Sequence, residues 1–212
     1  LFTNPFYIVY NLKMHPWVKA YKEKKFSIHT LSPSIVISNN IHLLKKNGVA
    51  LDIGCGNGRN SIFLAQHEYT VESIDVADLN WRKDIPPTLK EHITFKKTSI
   101  EDFVWKESYY DVVVLTRVIQ YISQKEVEKL IKNIVHSLTN EGVLLLSYNE
   151  SGGIHTIQDI AVPKFSHPIS TVQNILETYF NYVDITKGSS ISKHVNYVKE
   201  IVSYDIVAKD LK

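Results

Sequence analysis

The chain has a single cysteine, Cys55, and a single methionine among its 212 residues. One thiol cannot form an intramolecular disulfide, and no cluster of Cys and His offers the four ligands of a structural zinc ion. A fold with neither staple nor metal is expected in a reducing compartment, the cytoplasm. Glycine and proline are scarce, at 8 and 7 residues, which excludes collagen-like and low-complexity chains. Excess charge is also missing: 24 Lys and Arg against 22 Asp and Glu leave +2, too little to wrap a polyanion or adhere to a membrane. The longest apolar runs, Val112 to Leu115 and Val143 to Leu146, fall far short of the roughly 20 residues of a bilayer span. The opening stretch, Leu1 to Tyr10, is apolar but lacks a basic leader and a small-residue cleavage site, so no signal peptide is expected. The chain does have 44% hydrophobic and 11% aromatic residues, the composition of an ordinary folded protein. With no internal repeat and no Gly/Ser/Pro linker, a single domain over 1–212 is the economical reading.

The order of apolar segments predicts alternating strands and helices. Ser32-Pro33-Ser34 reads as a helix start, and the helix is expected to run through Ile35, Val36, Ile41, Leu43 and Leu44 until Gly48 stops it. Val49 to Ile53 reads as a buried strand, Asn60 to Gln66 as a helix, Tyr69 to Asp75 and Ile93 to Lys97 as strands, and Asp111 to Leu115 as a very apolar strand. Val127, Leu130, Ile131, Ile134 and Leu138 recur at helical spacing, predicting a helix over 124–138 that Asn140-Glu141-Gly142 closes. Val143 to Tyr148 follows as a central strand, then a long loop, a helix over 171–180, and strands over 182–186 and 201–208. Such alternation predicts a doubly wound α/β sheet, mostly parallel, and the absence of a helix between the last two strands predicts an antiparallel hairpin closing it. Ligands of such sheets bind at the C-terminal strand ends, where strand order reverses.

At that place stands Leu51-Asp52-Ile53-Gly54-Cys55-Gly56-Asn57-Gly58-Arg59-Asn60. Glycines at 54, 56 and 58 permit positive φ and close approach of a ligand, and the following helix N-terminus is expected to offer free N–H donors to a carboxylate or phosphate. Asp75, at the end of the next strand, is placed to accept both hydroxyl protons of a ribose. A glycine turn with such an acid predicts a nucleoside-containing cofactor. It does not match the dinucleotide fingerprint, because Gly56 and Gly58 are too close and an acid precedes the first glycine.

The run Asp52-x-Gly54-x-Gly56-x-Gly58, with its strand, helix and downstream acid, resembles motif I of the class I S-adenosylmethionine-dependent methyltransferases. The resemblance implies a seven-stranded Rossmann-like fold, S-adenosylmethionine as cofactor, and no metal. It implies that Gly54 and Gly56 pass against the methionine and ribose, that Asp52 supports the amino group or the loop through an intervening donor, that Asp75 holds the ribose, and that Val76 lies on the adenine. Cys55, Gly58 and Asn60 belong to the same turn, where Cys55 is expected to pack rather than react. The segment Thr98 to Phe103 matches the adenine motif, with Ser99 at the place of the family's acid and Ile100 supplying an N–H and an apolar wall. Thr116 is expected at the methionine end. The stretch Asn57-Gly58-Arg59-Asn60-Ser61 is similar to the tellurite-resistance type of methyltransferase, a likeness confined to 51–65 that favours a small acceptor. On this reading 1–33 is an arm or lid, 34–150 the cofactor-binding half, and 151–212 the substrate loop and hairpin.

Methyl transfer from a sulfonium is an in-line displacement, so most of the protein's work is positioning. A thiolate, selenolate or neutral amine needs no base, whereas a phenol or alcohol does. His155, after Gly152-Gly153, is a candidate base, although a solvated loop histidine reads the same way; His167 before proline reads as structural. Tyr148 is a candidate to bind the acceptor or to cap the sheet. Arg117 is placed to meet an acidic substrate group or Glu126 and Glu128, with Gln120 and Tyr121 beside it, and Trp17 and Tyr21 are expected to wall the acceptor pocket. The expected partner is a small-molecule or short-peptide acceptor, and the rival reading is a peptide or natural-product tailoring N- or O-methyltransferase. A nucleic-acid enzyme is disfavoured by the missing basic surplus and by Thr116-Arg117-Val118-Ile119 where such enzymes have a Pro-Pro-aromatic motif. A non-catalytic cofactor-binding protein is disfavoured by the intact turn.

Overall fold

The computed structural model describes residues 17–18, 32–151, 153–157, 160–194 and 197–212. After a short helix α1 (Ile35–Ser38) come β1 (Val49–Ile53), α2 (Arg59–Gln66), β2 (Thr70–Asp75), α3 (Pro87–Lys90), β3 (Ile93–Lys97) and β4 (Tyr110–Thr116). The second half adds α4 (Gln124–Ser137), β5 (Leu138–Asn149), β6 (Gly153–Ile157), β7 (Ile160–Lys164), α5 (Ile169–Tyr179), β8 (Phe180–His194) and β9 (Tyr197–Leu211). Seven strands form one sheet in the order β3-β2-β1-β4-β5-β9-β8, with β6 and β7 as a separate hairpin. Strands β1 to β5 pair in parallel, and β9 runs antiparallel to both β5 and β8. This is the predicted doubly wound sheet closed by an antiparallel hairpin.

The central strands explain the layering. Every residue of β4 is buried. Its alternate side chains serve opposite cores: Val113 and Leu115 pack with the α4 stripe of Val127, Leu130, Ile131 and Ile134, while Val112 and Val114 pack with Val36, Ile37, Leu64 and Trp81 on the other face. Helix α4 begins at a capping box, in which Ser123 accepts from the Glu126 N–H and the Glu126 side chain accepts from the Ser123 N–H. The reversal of strand order falls between β1 and β4, and their C-terminal ends open the crevice where the glycine turn lies.

Four expectations are corrected. The helix predicted from Ser32 to Gly48 is broken: α1 ends at Ser38, Asn40 donates its side-chain amide to the Val36 carbonyl (2.9 Å), and only a 3-10 turn, Ile41–Leu43, follows. Helix α4 ends at Ser137, within a residue of its expected end, but no turn separates it from β5: its last carbonyls accept from the Ser108 and Tyr109 N–H groups (3.0 and 2.9 Å), and Leu138 already pairs with Tyr110 as the first residue of a strand expected to begin only at Val143. The loop expected after Tyr148 contains the hairpin β6–β7. The last two strands extend well beyond the predicted ranges because the polar stretch around Gly188 to Ser190 joins the ladder through backbone bonds, which need no apolar pattern.

Candidate active site

Between β1 and α2 the chain turns through three left-handed glycines, Gly54 (φ +67°), Gly56 (+54°) and Gly58 (+73°). The protein's own side chains press on two of them. A Cβ on Gly54 would stand 2.5 Å from the Val118 Cγ2, and one on Gly58 2.4 Å from the Trp81 ring. Only glycine meets both the φ and the space.

Most N–H donors of this turn are engaged within the protein rather than free for an anion. Gly54 and Cys55 both donate to the Ile74 carbonyl (2.9 and 3.0 Å), and Gly58 donates to the Cys55 carbonyl (2.9 Å). Arg59 donates to the Asn57 Oδ1 (3.3 Å), Gly56 to the Asp75 Oδ2 (2.9 Å), and Ser61 directs its N–H at the Asp52 carboxylate. The turn thus has a built-in anion of its own, and what it presents outward is shape and the remaining acceptor capacity of Asp75.

Asp75 ends β2. Its Oδ1 accepts from the Ala77 N–H and its Oδ2 from the Gly56 N–H (both 2.9 Å), so acid and turn form one unit. Burial raises its pKa, opposed by the backbone bonds of Ala77, Gly56 and Val76. Asp52 is fully buried beneath the turn. Its Oδ2 accepts from the Ser61 Oγ (2.6 Å), which in turn accepts from the Ser73 Oγ (2.9 Å), while its Oδ1 has no partner among the described residues. Burial pushes the Asp52 carboxyl up to about 6, the Ser61 bond partly opposing it. The expected intervening donor is therefore Ser61, on α2.

The other residues expected around the turn lie close to it in three dimensions. Asn60 is buried, accepts from the Ser34 N–H (2.9 Å) and donates to the Thr116 Oγ1 (2.9 Å) at the end of β4. Cys55 is buried in the core with Leu64 and Trp81, and burial drives its thiol pKa well up, in keeping with packing rather than reactivity. Val76 is half-buried directly after Asp75, and the Thr98 N–H donates to the Asp75 carbonyl (3.0 Å), bringing the end of β3 alongside. Ser99 donates to the Asp102 Oδ2 (2.9 Å) and accepts from the Asp102 N–H (3.1 Å), while Ile100 packs against the core. Asp102 is a residue that sequence reasoning misses. The Ser-x-x-Asp spacing, a familiar local hydrogen-bonding pattern, is the signal that could have found it.

The residues expected on the acceptor side separate into two groups. Arg117 is held at φ +62° by donation of its N–H to the Ser147 carbonyl (2.7 Å); its exposed guanidinium donates to the Asn149 Oδ1 and faces Asp205 of β9, not Glu126 or Glu128. The Trp17 ring stands edge-on to Tyr121, centroids 5.0 Å apart. Gln120 is buried and serves the scaffold: its Oε1 accepts from the Asn149 N–H (2.9 Å) and its carbonyl from the Phe165 N–H (2.8 Å). Tyr148 is 0% exposed, and its hydroxyl donates to the His167 carbonyl (3.0 Å), so it is walled off from any acceptor. His167 is buried with its Nε2 between the Ile119 and Ile122 carbonyls, the structural part expected of it. The backbone of His155 lies in β6 opposite Val162; its side chain and the whole of Tyr21 lie outside the described residues. Among the described residues no group of His, Cys, Asp and Glu is arranged to hold a metal ion.

The strand order, the antiparallel last strand, the glycine turn after β1 and the acid ending β2 together define the class I S-adenosylmethionine-dependent methyltransferase fold. The family model described as tellurite resistance protein TehB matches residues 14–188, and the chain belongs to that family. Two proteins of Haemophilus influenzae, each named a probable S-adenosyl-L-methionine-dependent methyltransferase TehB, are similar. That of strain 10810 is 28% identical over 167 residues, 76% of this chain and 53% of its own length. That of strain ATCC 51907 is 30% identical over 137 residues, 61% of this chain and 44% of its own length. The chain thus spans about half the length of the curated relatives it matches. Among solved structures, the Burkholderia thailandensis 1,6-didemethyltoxoflavin-N1-methyltransferase with bound 1,6-didemethyltoxoflavin and S-adenosylhomocysteine has a TM-score of 0.71 at 13% identity, over 95% of this chain and 88% of that one. TehB from Haemophilus influenzae has a TM-score of 0.61 at 22% identity, over 82% of this chain and 61% of that one.

Proposed function

We propose that this protein binds S-adenosylmethionine at the C-terminal ends of β1, β2 and β4 and transfers its methyl group to a small-molecule acceptor by in-line displacement. The observation that carries this reading is Asp75. Its Oδ1 accepts from the Ala77 N–H and its Oδ2 from the Gly56 N–H, which fixes the carboxylate against the glycine turn with acceptor capacity left for a ribose hydroxyl. The Oδ1 of buried Asp52, without a partner among the described residues, places a second negative group beneath the turn, as a cationic ligand favours. Gly54, Cys55, Gly56, Gly58 and Asn60 shape the cradle; Val76, Ser99 and Ile100 flank the adenine, and Thr116 meets the amino-acid end. The cofactor supplies an activated methyl group on a positive sulfonium, leaving the chain to orient the partners and exclude water.

The acceptor side supports a nucleophile that arrives ready to react. Tyr148 is sealed, and the buried His167 is engaged with two carbonyls. A thiolate, a neutral amine or the lone pair of a chalcogen oxyanion needs no base; His155 on β6 remains the candidate base for a phenol or alcohol. Trp17 and Tyr121 would wall the acceptor and Arg117 would meet a negative group on it. Among the described residues no helix is long and apolar enough to cross a membrane.

The test is calorimetric titration of wild type and Asp75→Asn with S-adenosylmethionine and S-adenosylhomocysteine. Micromolar binding by wild type, weakened tenfold or more in the variant, is expected. Product formation is then followed with tellurite, small thiols, amines and phenols in turn. Absence of binding by folded wild type would sink the reading.

A further inference from the structure

The polarity of one buried amide bears on how the proposed site recognises its ligand. The Ser34 backbone N–H is a donor and nothing else, so the Asn60 atom it meets at 2.9 Å must be the carbonyl oxygen. The other end of the same amide, facing the Thr116 Oγ1 at 2.9 Å, is therefore the NH2, and Thr116 receives a hydrogen bond rather than giving one. The hydroxyl proton of Thr116 is left without an acceptor among the described residues, on a side chain only 7% exposed at the C-terminal tip of β4. A buried hydroxyl whose proton has no acceptor among the described residues is available to a ligand. Arg59 adds a second tie at the same junction, donating from its Nη2 to the Ser34 Oγ (3.1 Å). Ser34 is thereby held on both its backbone and its side chain by consecutive residues of α2.

We infer that Asn60 is a positioning residue which, oriented by the Ser34 backbone N–H, turns Thr116 into a hydrogen-bond donor to a carboxylate or other oxygen acceptor at the amino-acid end of the bound cofactor. This rests on the cofactor reading above. It assigns Asn60 a part that packing alone would not require, because a carboxylate in its place would satisfy Ser34 equally well while reversing the polarity toward Thr116. The chain Ser34 to Asn60 to Thr116 to ligand also ties the entry of the N-terminal segment to the site.

That reversal is the experiment. Asn60→Asp keeps the shape and the acceptor for Ser34 but captures the Thr116 proton; Thr116→Val removes the proton, and Thr116→Ser retains it. S-adenosylhomocysteine and methylthioadenosine, which lacks the amino-acid end, are titrated into each variant and wild type. Asn60→Asp and Thr116→Val should each weaken S-adenosylhomocysteine about tenfold, leave methylthioadenosine within about twofold, and together cost no more than Thr116→Val alone, while Thr116→Ser binds as wild type does. Equal losses for both ligands, unchanged binding by Thr116→Val, or full additivity in the double variant would each overturn the inference; additivity would mean that the new charge at 60 acts on the ligand directly. Failure of wild type to bind either ligand would overturn the cofactor reading and this inference with it.

Discussion

The burial of the Asp52 carboxyl has a consequence for stability that varies with pH. The group is fully buried, one of its oxygens has no partner among the described residues, and its pKa rises from 3.8 to about 6. At roughly 1.4 kcal/mol per pKa unit, a rise of this size disfavours the ionised group by about 3 kcal/mol. The folded protein therefore holds the proton more tightly than the unfolded chain. The contribution of Asp52 is most favourable below about pH 4, declines as pH rises from there through about 6, and is level above. The Asp52→Asn substitution removes the titrating group and with it this slope. The new amide oxygen can still accept from Ser61, and the NH2 takes the place that the protonated wild-type carboxyl fills with an O–H, so the two are alike in that donor. Near pH 7.5 the variant is spared the buried charge. Asp52→Asn is thus expected to gain on wild type by about 2 kcal/mol between about pH 4.5 and pH 7.5. Urea unfolding of both proteins across this range measures the difference, in which the other titrating groups cancel. A difference that does not change with pH would refute the argument.

Four further outcomes follow from the same structure. Gly58→Ala places a methyl 2.4 Å from the Trp81 ring at a positive φ, and should lower stability by about 1–3 kcal/mol in thermal unfolding and abolish S-adenosylhomocysteine binding; Gly54→Ala should be partly rescued by Val118→Ala, which removes the methyl it strikes. Burial pushes the Glu72 carboxyl up, but the bonds from Lys106, Lys96 and Tyr110 outweigh it and leave the pKa below 4.5. Glu72→Gln should therefore lower the unfolding temperature at pH 7 by a few degrees, and the deficit should vanish as wild type is titrated below the range of an ordinary carboxylate; a deficit unchanged in acid would refute the ion-pair account. Tyr148→Phe should cost about 1 kcal/mol in urea unfolding through the lost bond to the His167 carbonyl and leave turnover of any acceptor unchanged, whereas a large fall in kcat would restore it as a catalytic candidate.

Much of the fold is legible in the linear pattern because its determinants are local. The unbroken apolar run of β4 and the stripe of α4 mark those elements nearly to the residue, and the glycine turn is recognisable because its spacing is a backbone requirement. The misjudged boundaries are those set by distant partners. Strand β5 begins at Leu138, where Tyr110 pairs with it, not after Gly142, and β8 and β9 lengthen each other through backbone bonds that side-chain pattern does not report. Among candidate site residues, Asp75 and Asp52 do stand beside the turn, whereas Gln120 and Tyr148 are tied into the scaffold by contacts invisible in the order of residues.

By themselves the residues determine the alternation of strand and helix, the place of the cradle and the acids that belong to it, since each depends on neighbours a few positions apart. Only the tertiary structure decides what those groups have left to give. Whether a turn N–H is free, which end of Asn60 faces Thr116, and whether Tyr148 can reach a substrate depend on hydrogen bonds spanning from 19 to 56 residues. Such bonds follow from how the layers close on one another, because a buried polar group takes the partner that folding brings to it.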